Sequence, residues 1–153
     1  MKQTILYSLL ILVLTACHTL KHAYEDVFPL ETPENVEFDM TLKDFLALEM
    51  DSIYLMETTA SGTMYYGSIQ GELLDGAIYY FGPKGEEPLY EIIFMYISES
   101  DRDADAQRLL GDKNTEQGWS LEHEPYNVKA WTYESKLIIA ARIPDTEWYE
   151  EED

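Results

Sequence analysis

The chain reads as an α+β domain built on one antiparallel sheet of about six to seven strands with two short helices. Two observations carry that reading. Segments of alternating or continuous apolar character recur at short spacing, and short connections favour antiparallel pairing. Two helical stretches open on capping signals, one before the first strands and one between two strand groups. The order is helix, four strands, helix, three strands, with a β-sandwich or a partly open barrel as the alternative architecture.

The first helix starts at Thr41. Thr41 and Asp44 have capping-box spacing, and Met40 and Phe45 sit where a hydrophobic staple requires them. Leu42, Phe45 and Leu46 give one apolar face, and the helix runs to about Met50. Strands are expected over Ile53 to Thr58 and Met64 to Ile69, separated by Ala60-Ser61-Gly62. Glu72 to Leu74 and Ala77 to Phe81 flank Asp75-Gly76, a strong hairpin signal. Gly82-Pro83-Lys84-Gly85 reads as a turn. Leu89 to Ile97 is apolar or aromatic in both alternating sets, which places it centrally with both faces covered. The second helix is expected over Asp101 to Leu110, capped by Ser100 with Asp103 and stopped by Gly111. Trp119 to His123, Val128 to Tyr133 and Leu137 to Ile143 are the last strands, the final pair joined across Glu134-Ser135.

Before this domain, residues 17–38 carry Pro29 and Pro33 without sustained period and read as a tether, although Tyr24, Val27, Phe28 and Leu30 are apolar enough to pack on the domain. About 20 flexible residues would span roughly 25 Å. The domain is expected over residues 39–146, followed by an acidic tail over 147–153.

The N-terminus has a different character. Lys2 is followed by an apolar run from Ile5 to Val13, and the run Leu14-Thr15-Ala16 leads to Cys17, the single cysteine. This is the three-part pattern of a secretory signal. A helix from Ile5 to Cys17 spans roughly 20 Å, short of the about 30 Å of a bilayer core. Leu14-Thr15-Ala16-Cys17 resembles the lipobox of bacterial lipoproteins. The resemblance covers residues 1–17. It implies cleavage between Ala16 and Cys17, a diacylglyceryl group on the Cys17 thiol, further acylation of the new amine, and an envelope location. His18 follows the cysteine where an inner-membrane retention signal has Asp, so the resemblance favours an outer membrane where the cell has one. Two or three acyl chains hold a protein stably where one is marginal. With Cys17 lipidated no thiol remains for a disulfide, and the fold rests on its core.

Acidic residues number 30 against 10 Lys and Arg, a formal net charge of −20. Such a chain is unsuited to phosphate backbones or anionic lipid surfaces, which need basic patches. It suits solubility, or steering toward a basic partner.

Candidate chemistry is sparse. Asp101, Asp103, Asp105 and Asp112 match positions 1, 3, 5 and 12 of a calcium loop, but Ala106 stands at the sharp-turn position and Asp112 replaces the longer Glu. Acids opening a helix, where the macrodipole favours negative charge, are the preferred reading. His18 and His22 have helical metal spacing without a third ligand, and His123 lies between Glu122 and Glu124 as a surface or edge histidine. Gly67-Ser68-Ile69-Gln70-Gly71 displaces the serine of a nucleophile elbow by one position. No phosphate loop or zinc motif appears, and neither a cofactor nor an enzyme activity is implied.

Aromatics are abundant, with 12 Tyr, 5 Phe and 3 Trp. In Tyr65-Tyr66 and Tyr79-Tyr80 neighbours point to opposite faces of a strand. The outward set, Tyr66 and Tyr80 with Trp131 and Tyr133, is a candidate surface for a sugar ring or a protein. The expected function is a non-catalytic, lipid-anchored envelope protein binding a protein or glycan. The alternative is an immunity or inhibitor type of lipoprotein neutralising a basic exported toxin or enzyme.

Overall fold

The computed structural model describes residues 24–149, apart from 49, 51 and 84–86. The expected signal segment, Cys17, His18, His22, the Lys84-Gly85 part of the expected turn and the acidic residues 150–153 lie outside the described residues. The architecture is α+β: helix α1 (Leu42–Leu46), strands β1 (Ile53–Thr59), β2 (Gly62–Ser68), β3 (Leu74–Phe81) and β4 (Leu89–Tyr96), helix α2 (Glu99–Leu110), then β5 (Trp119–Leu121), β6 (Val128–Tyr133) and β7 (Lys136–Ala141). All seven strands form one open sheet in the order β1-β2-β3-β4-β7-β6-β5. Every pairing is antiparallel.

β4 is the hinge of the topology. The first four strands form a meander that ends on it, and α2 then carries the chain to the far edge. The last three strands walk back until β7 pairs with β4. β4 is buried along most of its length, as its apolar composition requires.

The two faces of the sheet differ. On one, Tyr65, Tyr79, Ile92, Ile139, Ala130 and Trp119 stand side by side across six strands. Tyr79, Ile92 and Ile139 are fully buried there. Both helices pack on this face. Phe45 of α1 sits 4.7 Å from the Tyr79 ring and 4.9 Å from Phe81. In α2, Ala106 and Leu110 are buried, and the Tyr96 hydroxyl donates to Asp105 Oδ2 at 2.7 Å. Burying a side chain such as Phe45 contributes about 1.5–3 kcal/mol.

The same face is closed by a segment expected to be tether. Tyr24, Val27, Phe28, Val36 and Phe38 are all buried, so residues 24–38 belong to the domain. Their rings form one cluster, with Tyr24 5.0 Å from Phe38 and Phe28 5.9 Å from Phe94 of β4. Turns around Pro29 and Pro33 break any helical or strand period, which is why the segment resembles a linker in sequence. Leu30 alone of the four apolar candidates is exposed.

Glu31 fastens this segment. Its carboxylate accepts hydrogen bonds from the backbone N–H groups of Glu72, Leu73 and Leu74, at 2.7 to 3.1 Å. Three consecutive amides form a cradle for an anion just ahead of β3.

Other boundaries shift for identifiable reasons. Thr41 caps α1 as expected, its Oγ1 accepting from Asp44 N–H at 3.1 Å, but the helix ends at Leu46 rather than Met50. Only Phe45 of its apolar face is buried, and Leu46 is 47% exposed, so packing does not extend the helix. The cap of α2 is Ser98 with Asp101, not Ser100 with Asp103. Each serine has an acid three residues on, and Ser98 holds the extended backbone a cap needs. Gly111, at φ 70°, ends α2 as expected. Asp75-Gly76 is not a hairpin turn. Both residues lie within β3, at a bulge where Leu74 opposes Tyr96 and Gly76 opposes Met95. Glycine is required there because a Cβ would stand 2.5 Å from the Tyr66 hydroxyl oxygen. β5 ends at Leu121 and β7 at Ala141, each two residues short of expectation, while the Glu134-Ser135 turn joins β6 and β7 as read.

Replacing Glu31 with Ala should cost about 1.5–3 kcal/mol, the range for hydrogen bonds to a charged group. Urea unfolding measures the loss. Proteolysis should accelerate first near residues 24–38, and an unchanged cleavage pattern there would show that the ring cluster alone holds the segment.

Candidate functional site

The opposite face of the sheet carries no described helix. Across it runs a second row, Tyr54, Tyr66, Ile78, Ile93, Ile138 and Trp131, on six adjacent strands. Only Ile138 of these is fully covered; Tyr54 is 57% exposed. A folded monomer rarely leaves an apolar strip this long on an open sheet face. The sequence places Tyr66, Tyr80, Trp131 and Tyr133 outward, and all four lie on this face, with Tyr65 and Tyr79 on the other.

They do not form one cluster. Tyr66 packs on Tyr54 at 5.1 Å, four strand spacings from Trp131, or about 19 Å. Tyr80 meets Tyr90 edge-on at 6.5 Å. Burial, then Glu91, Glu147 and Glu57, raise the Tyr80 pKa above its usual value. Tyr133 is 61% exposed, with the Lys136 ammonium 5.3 Å from its ring centroid.

Trp131 belongs to a more developed feature. After β7 the chain turns back over this face, and Trp148 comes to lie 4.9 Å from Trp131 with the rings tilted by 59°. The Trp148 indole N–H donates to Glu91 Oε2. Trp148 thereby explains why Ala140, opposite Glu91 in the ladder, is fully buried on a face without helices. The acidic tail expected from residue 147 therefore carries a packed residue at its second position, because Trp148 reaches the sheet.

Beside the two tryptophans is an open cavity of about 750 Å³. Trp119, Trp131 and Trp148 border it, which are all the tryptophans of the chain, together with Lys129, Arg142 and the 115–118 loop. Its volume falls in the range of small-ligand sites. Trp119 meets the cavity from the sheet edge, since its ring is buried on the helix-covered face, where the indole N–H donates to the Gly111 carbonyl at 3.0 Å and Lys113 sits 5.3 Å from the ring centroid.

Neither a protein-family model, nor a curated protein, nor a solved structure matches this chain. The site is read from its own chemistry.

Two polar groups stand out. Arg142 Nε is buried without a hydrogen-bond acceptor among the described residues. An unsatisfied buried donor costs about 1–3 kcal/mol, and more when charged. Glu91 is 7% exposed, the single acid in an otherwise apolar strand. Burial pushes its carboxyl up to about 7; the Trp148 hydrogen bond opposes the shift and the nearby Glu147 adds to it. Sequence reading passed over both residues. The signal was present in each case, as one charge interrupting an apolar strand run. Trp148 was hidden by its acidic neighbours.

The calcium-template acids do not converge. Asp101 accepts from Ser98 Oγ at 2.6 Å, Asp103 pairs with Arg102 at 2.6 Å, and Asp112 accepts from Gln107 at 3.1 Å. Asp105 is buried between the Tyr96 hydroxyl and Arg108. All but Asp112 lie within α2, so the spacing reflects a helix and not a loop. No group of three or more His, Cys, Asp or Glu among the described residues is arranged for a metal.

His123 lies at the sheet edge, as read, but it is partly covered. It lies past the end of β5, stacks on Tyr24 at 4.7 Å, and its Nε2 is 3.1 Å from Asp26 Oδ1. Its side chain is 14% exposed, so it helps close the N-terminal segment. Neither Glu122 nor Glu124 supplies a carboxylate to it; Nδ1 faces the Glu124 backbone oxygen at 2.8 Å.

Glu91 makes stability pH-dependent. The folded carboxyl titrates near 7 and the unfolded one near 4.5, so the native state binds the extra proton between those values. The stabilisation is complete below about pH 4.5 and is lost as pH rises through 7, amounting to about 3 kcal/mol. Glu91→Gln should remove that slope and leave the variant more stable than wild type at pH 8. Urea unfolding at pH 5 and pH 8 tests this; equal slopes in both proteins would contradict it.

Proposed function

We propose that this chain is a lipid-anchored protein of the bacterial cell envelope, held by acyl chains on Cys17. Its domain is a non-catalytic glycan-binding module that uses the open face of the sheet. The observation that carries the reading is the concentration of aromatic rings on that face, with Trp131 and Trp148 paired beside a cavity of ligand size. Flat apolar rings with polarised edges suit the C–H faces of sugars.

Further features support it. With a net charge of −20 the chain gains little from anionic headgroups, so attachment falls to the lipid. No described helix is long and apolar enough to cross a membrane. The side chains around the cavity are mainly rings and cations, with Thr115, Glu116 and Ser120 on its loop side; the Thr115 hydroxyl accepts from the Gly118 N–H, and among the described residues no hydrogen bond joins a hydroxyl there to a base. The face that would meet a ligand lies opposite the packed segment 24–38, through which the chain leads back toward Cys17.

Cys17→Ser should abolish incorporation of labelled fatty acid and move the protein to the soluble fraction; membrane retention in that variant would contradict the anchor. The same soluble variant, passed over immobilised envelope polysaccharide, should be retained. Adding Trp131→Ala should weaken retention roughly five- to tenfold, the scale of one lost aromatic contact. Leu30→Ala, on the opposite face, should have no effect. Equal retention of all three proteins would remove the open face from the function.

A further inference from the structure

We infer that the cavity beside Trp131 and Trp148 is a subsite for a saccharide bearing a single carboxylate, which Arg142 binds. The inference rests on the glycan reading above and narrows it to a ligand class.

Arg142 continues the β7 alternation of Ile138 and Ala140 and so belongs to the open face; it borders the cavity with Lys129. Acids outnumber bases 30 to 10 in this chain, yet Arg142 forms no ion pair among the described residues. Its Nε is buried and lacks an acceptor. In so acidic a protein, an arginine left without a carboxylate in a ligand-sized cavity is best explained by a carboxylate from outside. The planar guanidinium matches a carboxylate with two parallel hydrogen bonds, which a lysine cannot reproduce. Trp131 and Trp148, at 59° to one another, make a two-walled corner for a ring.

Charge sets the limit on the ligand. Arg142, unpartnered among the described residues, favours one negative group, while Glu116 at the cavity and the overall charge of −20 oppose a polyanion such as a nucleic acid. A neutral sugar offers hydroxyl acceptors to the arginine but no charge to match the guanidinium. A monocarboxylated sugar satisfies each constraint.

The test is calorimetric titration of the Cys17→Ser chain with three probes: methyl glucuronide, sialyllactose and N-acetylmuramic acid, each beside its neutral methyl ester. At least one acid should bind roughly tenfold or more tightly than its ester, the scale of a hydrogen bond between charged groups. Arg142→Gln should abolish that preference, and Trp148→Ala should weaken acid and ester together. The acid-to-ester ratio in the wild-type chain needs no variant, so misfolding of a mutant cannot mask the answer. Equal binding of acid and ester would overturn the carboxylate subsite while leaving the glycan reading standing. Absence of binding by every probe would overturn the subsite, and retention on envelope polysaccharide would still report on the broader reading. An undiminished acid preference in a folded Arg142→Gln protein would remove Arg142 from the site.

Discussion

The near-continuous burial of β4, in which only Ile93 and Met95 on the open face stay half-covered, is the constraint from which the rest of the structure follows. A strand that is apolar in both alternating sets cannot stand at an edge or face water on one side. It must be flanked by strands and covered above and below. The first meander supplies one neighbour, β3. The other is β7, which the chain reaches only after α2 has carried it to the far edge and two further strands have brought it back. On one face the cover is generous, with two helices and the ring cluster of residues 24–38. On the other it is thin, and the main described cover near Glu91 and Ala140 is Trp148.

That asymmetry creates both the exposed aromatic strip and the polar conflicts beside it. Glu91 would be an ordinary surface acid if the far face were fully open. Trp148 buries it and donates to it, which leaves a carboxyl in a poorly solvated place with an indole as partner. Arg142 is caught in the same way, with one nitrogen removed from water and no acceptor supplied. A native fold retains few such defects. Among the described residues Arg142 Nε shares this with Thr32 Oγ1 and Tyr79 Oη, and of the three it alone stands beside the pair of tryptophans.

Much of the fold was legible from local pattern. The order of elements, the central place of β4, the Thr41 cap, the Gly111 stop and the Glu134-Ser135 turn all follow from signals a few residues long. The alternation that sends Tyr65 and Tyr79 inward and Tyr66 and Tyr80 outward was legible too. The misreadings share a cause. Asp75-Gly76 has the composition of a turn, but glycine is needed there for close approach of Tyr66 from the neighbouring strand. Segment 24–38 lacks period because its rings pack onto a face formed by residues far along the chain. For the site, Tyr66, Tyr80, Trp131 and Tyr133 were legible as outward residues. That Trp131 has a partner in Trp148, and that Arg142 lies beside them, was not, since the three come from different turns of the chain.

The sequence by itself determined the class of fold, the facing of the strand residues, the surplus of negative charge and the Leu14-Thr15-Ala16-Cys17 run that resembles a lipobox. These are properties of composition and short spacing, and short-range sterics and hydropathy suffice to read them. Only the tertiary structure decided which sheet face stays open, that residues 24–38 are part of the core, and that Trp131 and Trp148 pair beside a cavity with an unsatisfied arginine. The physical reason is that burial is not a local property. A side chain's neighbours along the chain fix which way it points, and strands dozens of residues away decide what it meets there.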